Sequence, residues 1–394
     1  MFNFKTFNNI AEDGLDILRK NKFKEVSENP DGILLRSHNL LKEDFEDNLL
    51  CIARAGAGTN NIPKDDATKK GIVVFNTPGA NANAVKELVI CGMLLSSRGI
   101  VEGIEFAKNL DLEDSAGLNQ AMEAQKKTFA GNELAGKTLG IVGLGSIGSM
   151  LAQAAHTLGM KLVGYDPYIS IEGAWRLPRE VEKAETMEAL LQQSDYVSLH
   201  VPLVEDTKNL INESNLNKFK KGARLINLSR GGIVNTNDVI AELENGNLGR
   251  FVTDFPTPEL IKRSAEKNDV VLLPHLGAST KEAEINCAVM AANQMVNYLQ
   301  DGTILNSVNF PRISLSRGTN HRLVIINHNE PGMIGKIADS IAACDINIAE
   351  MTNKSRDEIA INLIDLECQA SEELINQLRS VEHVMSVRSL DISS

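Results

Sequence analysis

The sequence predicts an α/β protein: two doubly wound parallel-sheet domains followed by a small ferredoxin-like module. Three observations carry that expectation. Short apolar runs alternate with amphipathic helical stretches through the first 300 or so of 394 residues. A glycine-rich turn joins one such run to a helical pattern in mid-chain. The last stretch reads β-α-β-β-α-β. A chain of this length exceeds what one core usually serves, so two or three domains are expected.

In order along the chain, Gly32–Leu35, Leu50–Ala53 and Ile72–Phe75 read as buried strands. From Val85 to about Asn109 apolar residues recur at helical spacing, giving one long helix or two in sequence. Asp111–Phe129 is polar and weakly patterned, an excursion over the surface. A second series begins at Gly136, with strands at Thr138–Val142, Lys161–Tyr165, Tyr196–Leu199, Ala223–Asn227, Arg250–Thr253 and Val270–Leu272. Helices lie around Ser146–Leu158, Thr186–Gln193 and Asn237–Asn245, then a long one runs from about Lys281 to Leu299. Pro311–Asn320 reads as a linker. The terminal module follows as His321–Asn327, Gly332–Ala343, Asn347–Asn353, Glu358–Glu367, Glu372–Arg379 and His383–Leu390.

Composition narrows the class. Hydrophobic residues make up 43% and charged residues 23%, as in globular proteins. The formal net charge of −12 excludes nucleic acid as an expected partner, because phosphate binding needs clustered cations. The longest apolar run, Leu88–Leu95 with Gly92 inside it, falls far short of the roughly 20 residues that span a bilayer, so no membrane partner is expected. Met1 to Ile10 lacks the apolar core of a secretory signal, and a cytoplasmic location is expected. The 5 cysteines are scattered without CxxC spacing, which reads as reduced thiols with neither a disulfide nor a metal site.

Gly143-Leu144-Gly145-Ser146-Ile147-Gly148 follows the apolar strand Leu139–Val142 and opens the helical pattern Ile147, Leu151, Ala154, Leu158. In a dinucleotide fold Gly143 permits the tight turn, Gly145 lets the backbone approach a pyrophosphate, and Gly148 lets the helix lie against the strand. The helix N-terminus then receives the anion. Asp166 ends the next strand; a carboxylate there accepts the ribose hydroxyls and repels a 2′-phosphate, so NAD is expected over NADP. The bland alternative is a set of turn glycines.

Ligands of doubly wound sheets gather beyond the strands' C-terminal ends. Arg230, Asp254, Glu259 and His275 all lie just past such ends. Arg230 can grip a carboxylate through two parallel bonds. His275 can exchange a proton near neutrality. A carboxylate at Glu259 could favour the imidazolium and hold one tautomer. Together these suit hydride transfer from a small hydroxy acid. Each also has a plain reading: a surface arginine, a solvent-facing loop glutamate, a strand-end histidine.

Several long motifs in order resemble the D-isomer-specific 2-hydroxyacid dehydrogenases over nearly the whole chain. They are Asn76-Thr77-Pro78-Gly79-Ala80-Asn81 with Glu87-Leu88, the run Gly131–Leu139, and the glycine turn. His200-Val201-Pro202-Leu203, Ser229-Arg230-Gly231-Gly232 and Pro274-His275-Leu276-Gly277 complete the set. The resemblance implies that Arg230 binds the substrate carboxylate, His275 is the general acid/base, and Glu259 its partner. It places Asp254 near the nicotinamide carboxamide, with further NAD contacts at Ser146, Ile147, His200, Pro202, Thr207, His275 and Gly277. It implies substrate loops at Arg54–Gly58, including Gly56, and at Asn76–Asn81, with Arg54 meeting a substrate phosphate. Residues 1–97 and 283–310 would form the substrate domain, 98–282 the NAD domain, and 311–394 the terminal module. Where the family commonly has Asp-Val-Phe-x-x-Glu, this chain has Asp254-Phe255-Pro256-Thr257-Pro258-Glu259, with Phe one place early.

The terminal module resembles an ACT domain. That likeness implies an amino-acid effector, L-serine, held by Asn327, Asn329 and Asn347. A homodimer or homotetramer is expected on symmetry grounds. Two other readings stay open here: a dehydrogenase for a different D-2-hydroxy acid, and an NAD-responsive binding protein.

Overall fold

The computed structural model describes residues 1–110 and 115–392. The chain divides into two compact units, residues 1–81 with 281–394, and residues 82–280.

The first unit holds a five-stranded parallel sheet, β1 (Asn3–Phe7), β2 (Lys24–Glu25), β3 (Gly32–Leu35), β4 (Cys51–Arg54) and β5 (Val73–Phe75), in the order β2-β1-β3-β4-β5. β3 and β5 are buried throughout and β4 up to Arg54, as expected where helices cover both faces. β1 and β2 carry no such signal: only Phe4 of β1 is buried, and both residues of β2 are exposed. Helices Glu12–Lys20 and Lys281–Asp301 pack together in this unit, the second bringing the chain back after its long excursion.

The second unit holds a seven-stranded parallel sheet: β6 (Thr138–Val142), β7 (Lys161–Tyr165), β8 (Val181–Lys183), β9 (Tyr196–Leu199), β10 (Ala223–Asn227), β11 (Leu248–Thr253) and β12 (Val270–Leu272). Its order, β12-β11-β10-β9-β6-β7-β8, is the doubly wound one, with the switch point between β6 and β9. The helical stretch after Val85 resolves into two helices, Ala82–Ser97 and Ile100–Lys108, parted at Arg98-Gly99. The expected surface excursion instead contains a helix, Ser115–Gln125; its first four expected residues, 111–114, lie outside the described residues.

The terminal module has strands β13 (His321–His328), β14 (Ile348–Arg356), β15 (Ile359–Leu366) and β16 (Val384–Asp391) in the antiparallel order β14-β15-β13-β16, with helices Met333–Ala343 and Glu372–Ser380. β15 is buried at every position because both of its faces are covered. Leu323, Ile325 and Ile364 lie under the module's own helices. Val324, Ile326, Ile361 and Leu363, alternate along the strands, join one core with Phe75, Met295, Tyr298 and Phe310. The segment 311–320 is therefore not a free tether: Ile313 pairs with Ile304, and Phe310 and Ile313 are buried. Its Arg, Ser and Gly content suggested otherwise because the anchoring apolar residues are few and widely spaced.

Candidate active site

The glycine turn leaves β6 and enters the helix Ser146–Thr157. Gly143 has φ +91°, and a Cβ there would lie 2.6 Å from the His200 carbonyl oxygen. A Cβ on Gly148 would lie 2.1 Å from the Gly143 carbonyl oxygen, so helix and strand touch backbone to backbone. A Cβ on Gly145 would meet nothing within 4 Å. No side chain caps this helix N-terminus. Open room above Gly145 and uncapped N–H groups fit a bound pyrophosphate. Asp166 Oδ2 accepts from the Leu144 N–H at 2.8 Å and Oδ1 from the Tyr168 N–H at 2.9 Å, so the carboxylate is already aimed at the turn. His200, at the end of β9, lies 2.9 Å from the Ser198 hydroxyl through Nε2, and burial pulls its pKa down to about 4, keeping the imidazole neutral. Pro202 and Thr207 belong to one loop, held by the Thr207 hydroxyl donating to the Pro202 carbonyl at 2.5 Å.

These contacts separate packing from ligand room. Gly145→Ala is expected to fold with an unchanged melting temperature and to bind NADH more weakly, because its methyl fills only the space left for a ligand. Titration of NADH fluorescence beside a thermal melt checks both halves; undiminished affinity would remove the turn from cofactor binding.

Beyond β10, Asn227 is buried and organises the turn that presents Arg230. Its Nδ2 donates to the Arg230 carbonyl at 2.9 Å and its Oδ1 accepts from the Ser229 N–H at 3.2 Å. The Arg230 side chain is exposed and donates to the Ser229 carbonyl at 2.6 Å. Beyond β11, Asp254 is wholly buried. Its two oxygens accept from the Leu276 and Gly277 N–H groups at 2.7 Å each, and its carbonyl accepts from the His275 N–H at 3.1 Å. Asp254 thus builds the turn that carries His275. That residue has φ +58°, a left-handed conformation costly for a non-glycine and typical of functional sites. Its ring is exposed and tilted against Phe255, centroids 5.2 Å apart, so the phenylalanine that stands one place early in the sequence flanks the imidazole.

Glu259 is placed differently from the loop position read in the sequence. It lies in the first turn of a helix, Pro258–Glu266, capped by the Thr257 hydroxyl, which accepts from the Leu260 N–H at 3.3 Å. The Thr-Pro-Glu sequence is a helix-start signal that the loop reading passed over. The exposed carboxylate is held below the usual range by backbone N–H at its own helix start and then by the Thr257 hydroxyl. Among the described residues no hydrogen bond joins it to His275.

The first unit carries the remaining substrate candidates. Arg54 ends β4 half-buried, its Nε donating to the Arg36 carbonyl at 2.9 Å. Two loops are stitched beside it: Asn76 Nδ2 donates to the Ala57 carbonyl at 2.7 Å, and the Thr77 N–H donates to the Gly56 carbonyl at 3.1 Å. Asn81, half-buried, closes this unit's first segment.

The three candidate effector asparagines do not converge alike. Asn327 is buried, donating to the His328 carbonyl at 2.6 Å and accepting from Asn362 at 2.8 Å, which in turn accepts from Asn353. Asn329 and Asn347 are exposed, donating to the Asp357 carbonyl and to Glu367. The ladder Asn327–Asn362–Asn353, buried at its first two members, had no sequence signal, since its members lie on three different strands. Among the described residues no three His, Cys, Asp or Glu side chains are grouped so as to hold a metal ion, and no helix is long and apolar enough to cross a membrane.

Residues 99–277 match the family profile of the D-isomer specific 2-hydroxyacid dehydrogenase, NAD binding domain. A D-3-phosphoglycerate dehydrogenase of Haemophilus influenzae is 32% identical over 382 residues, covering 94% of this chain and 88% of that protein. One from Synechocystis is 37% identical over 289 residues, covering 72% of this chain and 50% of that protein. The NAD+-bound 3-phosphoglycerate dehydrogenase of Entamoeba histolytica superposes with a TM-score of 0.59 at 26% identity, covering 78% of this chain and 98% of that one. The chain belongs to the D-isomer-specific 2-hydroxyacid dehydrogenases and is an NAD-dependent enzyme of that family.

Proposed function

We propose that the chain oxidises 3-phospho-D-glycerate to 3-phosphohydroxypyruvate, the first step of the phosphorylated route to L-serine. The observation that carries this reading is likeness over 94% of the chain to D-3-phosphoglycerate dehydrogenases, together with an arginine at the end of β4 in the first unit. Arg230 is assigned the substrate carboxylate and Arg54 its phosphate, each a charge-assisted contact suited to such an anion. His275 takes the hydroxyl proton, a role its exposure and preset backbone support. Bound NAD supplies the hydride acceptor; Gly143, Gly145, Ser146, Ile147, Gly148 and Asp166 would hold it, with His200, Pro202, Thr207, Asp254 and Gly277 completing its pocket. Asp254 also keeps the His275 turn in place. Glu259 would act on His275 only after its carboxylate turns from its own helix start.

L-Serine is proposed as an effector of the terminal module through Asn329 and Asn347, with Asn327 shaping the loop from inside. A cytoplasmic homodimer or homotetramer is proposed as the working form. Helix Ile100–Lys108 supports association: none of its residues is buried, and Val101 and Ile104 are 38% and 49% exposed.

The test is NADH oxidation with 3-phosphohydroxypyruvate, pyruvate, hydroxypyruvate and 2-oxoglutarate, each with and without L-serine. The phosphorylated acid should be preferred, and Arg54→Met should remove that preference while sparing the slower unphosphorylated acids. Preference for an unphosphorylated acid in the unaltered protein would overturn the substrate assignment. Absence of turnover with any of the four would favour a binding protein.

A further inference from the structure

We propose that Arg388, in the last strand of the terminal module, is a positioning residue for the Asn76–Asn81 turn of the first sheet. It acts through Tyr298 and Phe75. The proposal rests on the reading of that turn as part of the substrate site, and its test separates the two.

The last carbonyls of a helix have no partner within it. At the end of helix Lys281–Asp301 arginines from outside the helix donate to them, the Tyr298 carbonyl also accepting from the Gly302 N–H at 2.9 Å. Arg388 donates to the Tyr298 carbonyl at 3.2 Å and the Leu299 carbonyl at 3.4 Å. Arg317 donates to the Gln300 carbonyl at 3.0 Å, and Arg322 to the Asp301 carbonyl at 3.2 Å. Arg388 differs from the other two in stacking on an aromatic ring: its guanidinium carbon lies over the Tyr298 ring, 4.5 Å from the centroid. A planar cation that both forks onto carbonyls and stacks on a ring fixes that ring more tightly than a lysine could.

Tyr298 is wholly buried and meets Phe75 edge-on, centroids 5.8 Å apart at 60°. Phe75 is the last residue of β5, and Asn76 begins the turn. One helical turn before Tyr298, on the same helix face, buried Gln294 donates to the Asn76 carbonyl at 3.0 Å. Gln294 and Tyr298 therefore set, side by side, the first peptide of the turn and the ring behind it. From there the order passes to the neighbouring loop, since Asn76 and Thr77 donate to Ala57 and Gly56, just past Arg54. Loss of the Arg388 guanidinium frees the Tyr298 ring to tilt, and the turn moves with it. Arg317 and Arg322 still fasten the module, so fastening and positioning can be measured apart.

The experiment uses the full-length protein with Arg388→Leu, Arg388→Lys and the control Arg317→Leu. Hydrogen exchange of the Asn76 and Thr77 amides should speed up in Arg388→Leu by about 2- to 30-fold, the range of a lost cation–π contact. Arg388→Lys should recover part of that, and Arg317→Leu should lower the melting temperature without the local change. The KM for the hydroxy acid should rise by a comparable factor in Arg388→Leu, with kcat and the KM for NAD little changed. Unchanged exchange at Asn76 and Thr77, or an equal rise in Arg317→Leu, would overturn the proposal. Faster exchange with an unchanged KM would uphold the positioning and remove the turn from the substrate site.

Discussion

His275→Asn is expected to lower kcat by about 10²–10⁴ while leaving NADH affinity within about threefold, since a positioned proton-transfer group contributes that much. Asparagine suits the test because it tolerates the left-handed backbone at φ +58° better than other neutral residues. The turn should survive, because Asp254 holds it through the N–H groups of Leu276 and Gly277 rather than through the imidazole. Stopped-flow oxidation of NADH gives the rate, and fluorescence titration gives the affinity. A kcat within a factor of about 3 of the unaltered enzyme would remove His275 from proton transfer. Asp254→Asn supplies the complementary case. An amide oxygen can accept only one of the two N–H groups well, so the turn loosens and the rate falls with no proton-transfer group removed.

Asp365→Ala should be the most destabilising single change in the terminal module. Asp365 and Arg322 are both fully buried, joined by two bonds of 2.6 and 2.9 Å, and Asp365 also accepts from the Gly318 N–H at 2.9 Å. Removing Asp365 leaves the buried guanidinium with only the Asp301 carboxylate, 3.1 Å away, and the loss of one partner of a buried pair costs about 3–5 kcal/mol. Replacing both, as in Arg322→Met with Asp365→Leu, should recover most of that loss, because the desolvation of two ions is removed along with their attraction. Urea midpoints of the unaltered protein, Arg322→Met, Asp365→Leu and the double variant form the cycle. A loss below about 1 kcal/mol in Asp365→Ala would show that Asp301 or water compensates the guanidinium.

The same network bears on how regulation can be tested. Val324, Ile326, Ile361 and Leu363 of the module lie in one core with Phe75 and Tyr298. Deleting the module would bare that core, so effector binding is better probed by substitutions at Asn329 or Asn347.

Much of the second unit was legible in the sequence. Its strands lie at the centre of a parallel sheet and read as apolar runs, and the glycine turn, Arg230 and His275 follow strand ends by local rules. β1, β2 and β8 were not legible, because strands at or near an edge bury one residue or none. The helix under Glu259 was legible from Thr257-Pro258, but the direction of its carboxylate was not.

The sequence by itself determined the fold class, the βα alternation, the glycine turn and the family, because each depends on spacing along the chain: hydrophobic period, turn chemistry and strand-to-helix register. Tertiary structure alone decided that Asp254 builds the His275 turn, that Asn327 is interior, and that the terminal module shares its core with the first sheet. Those facts rest on contacts between residues far apart in sequence, such as Arg322 with Asp365 or Arg388 with Tyr298, and no local pattern encodes which distant partner a buried polar group will find.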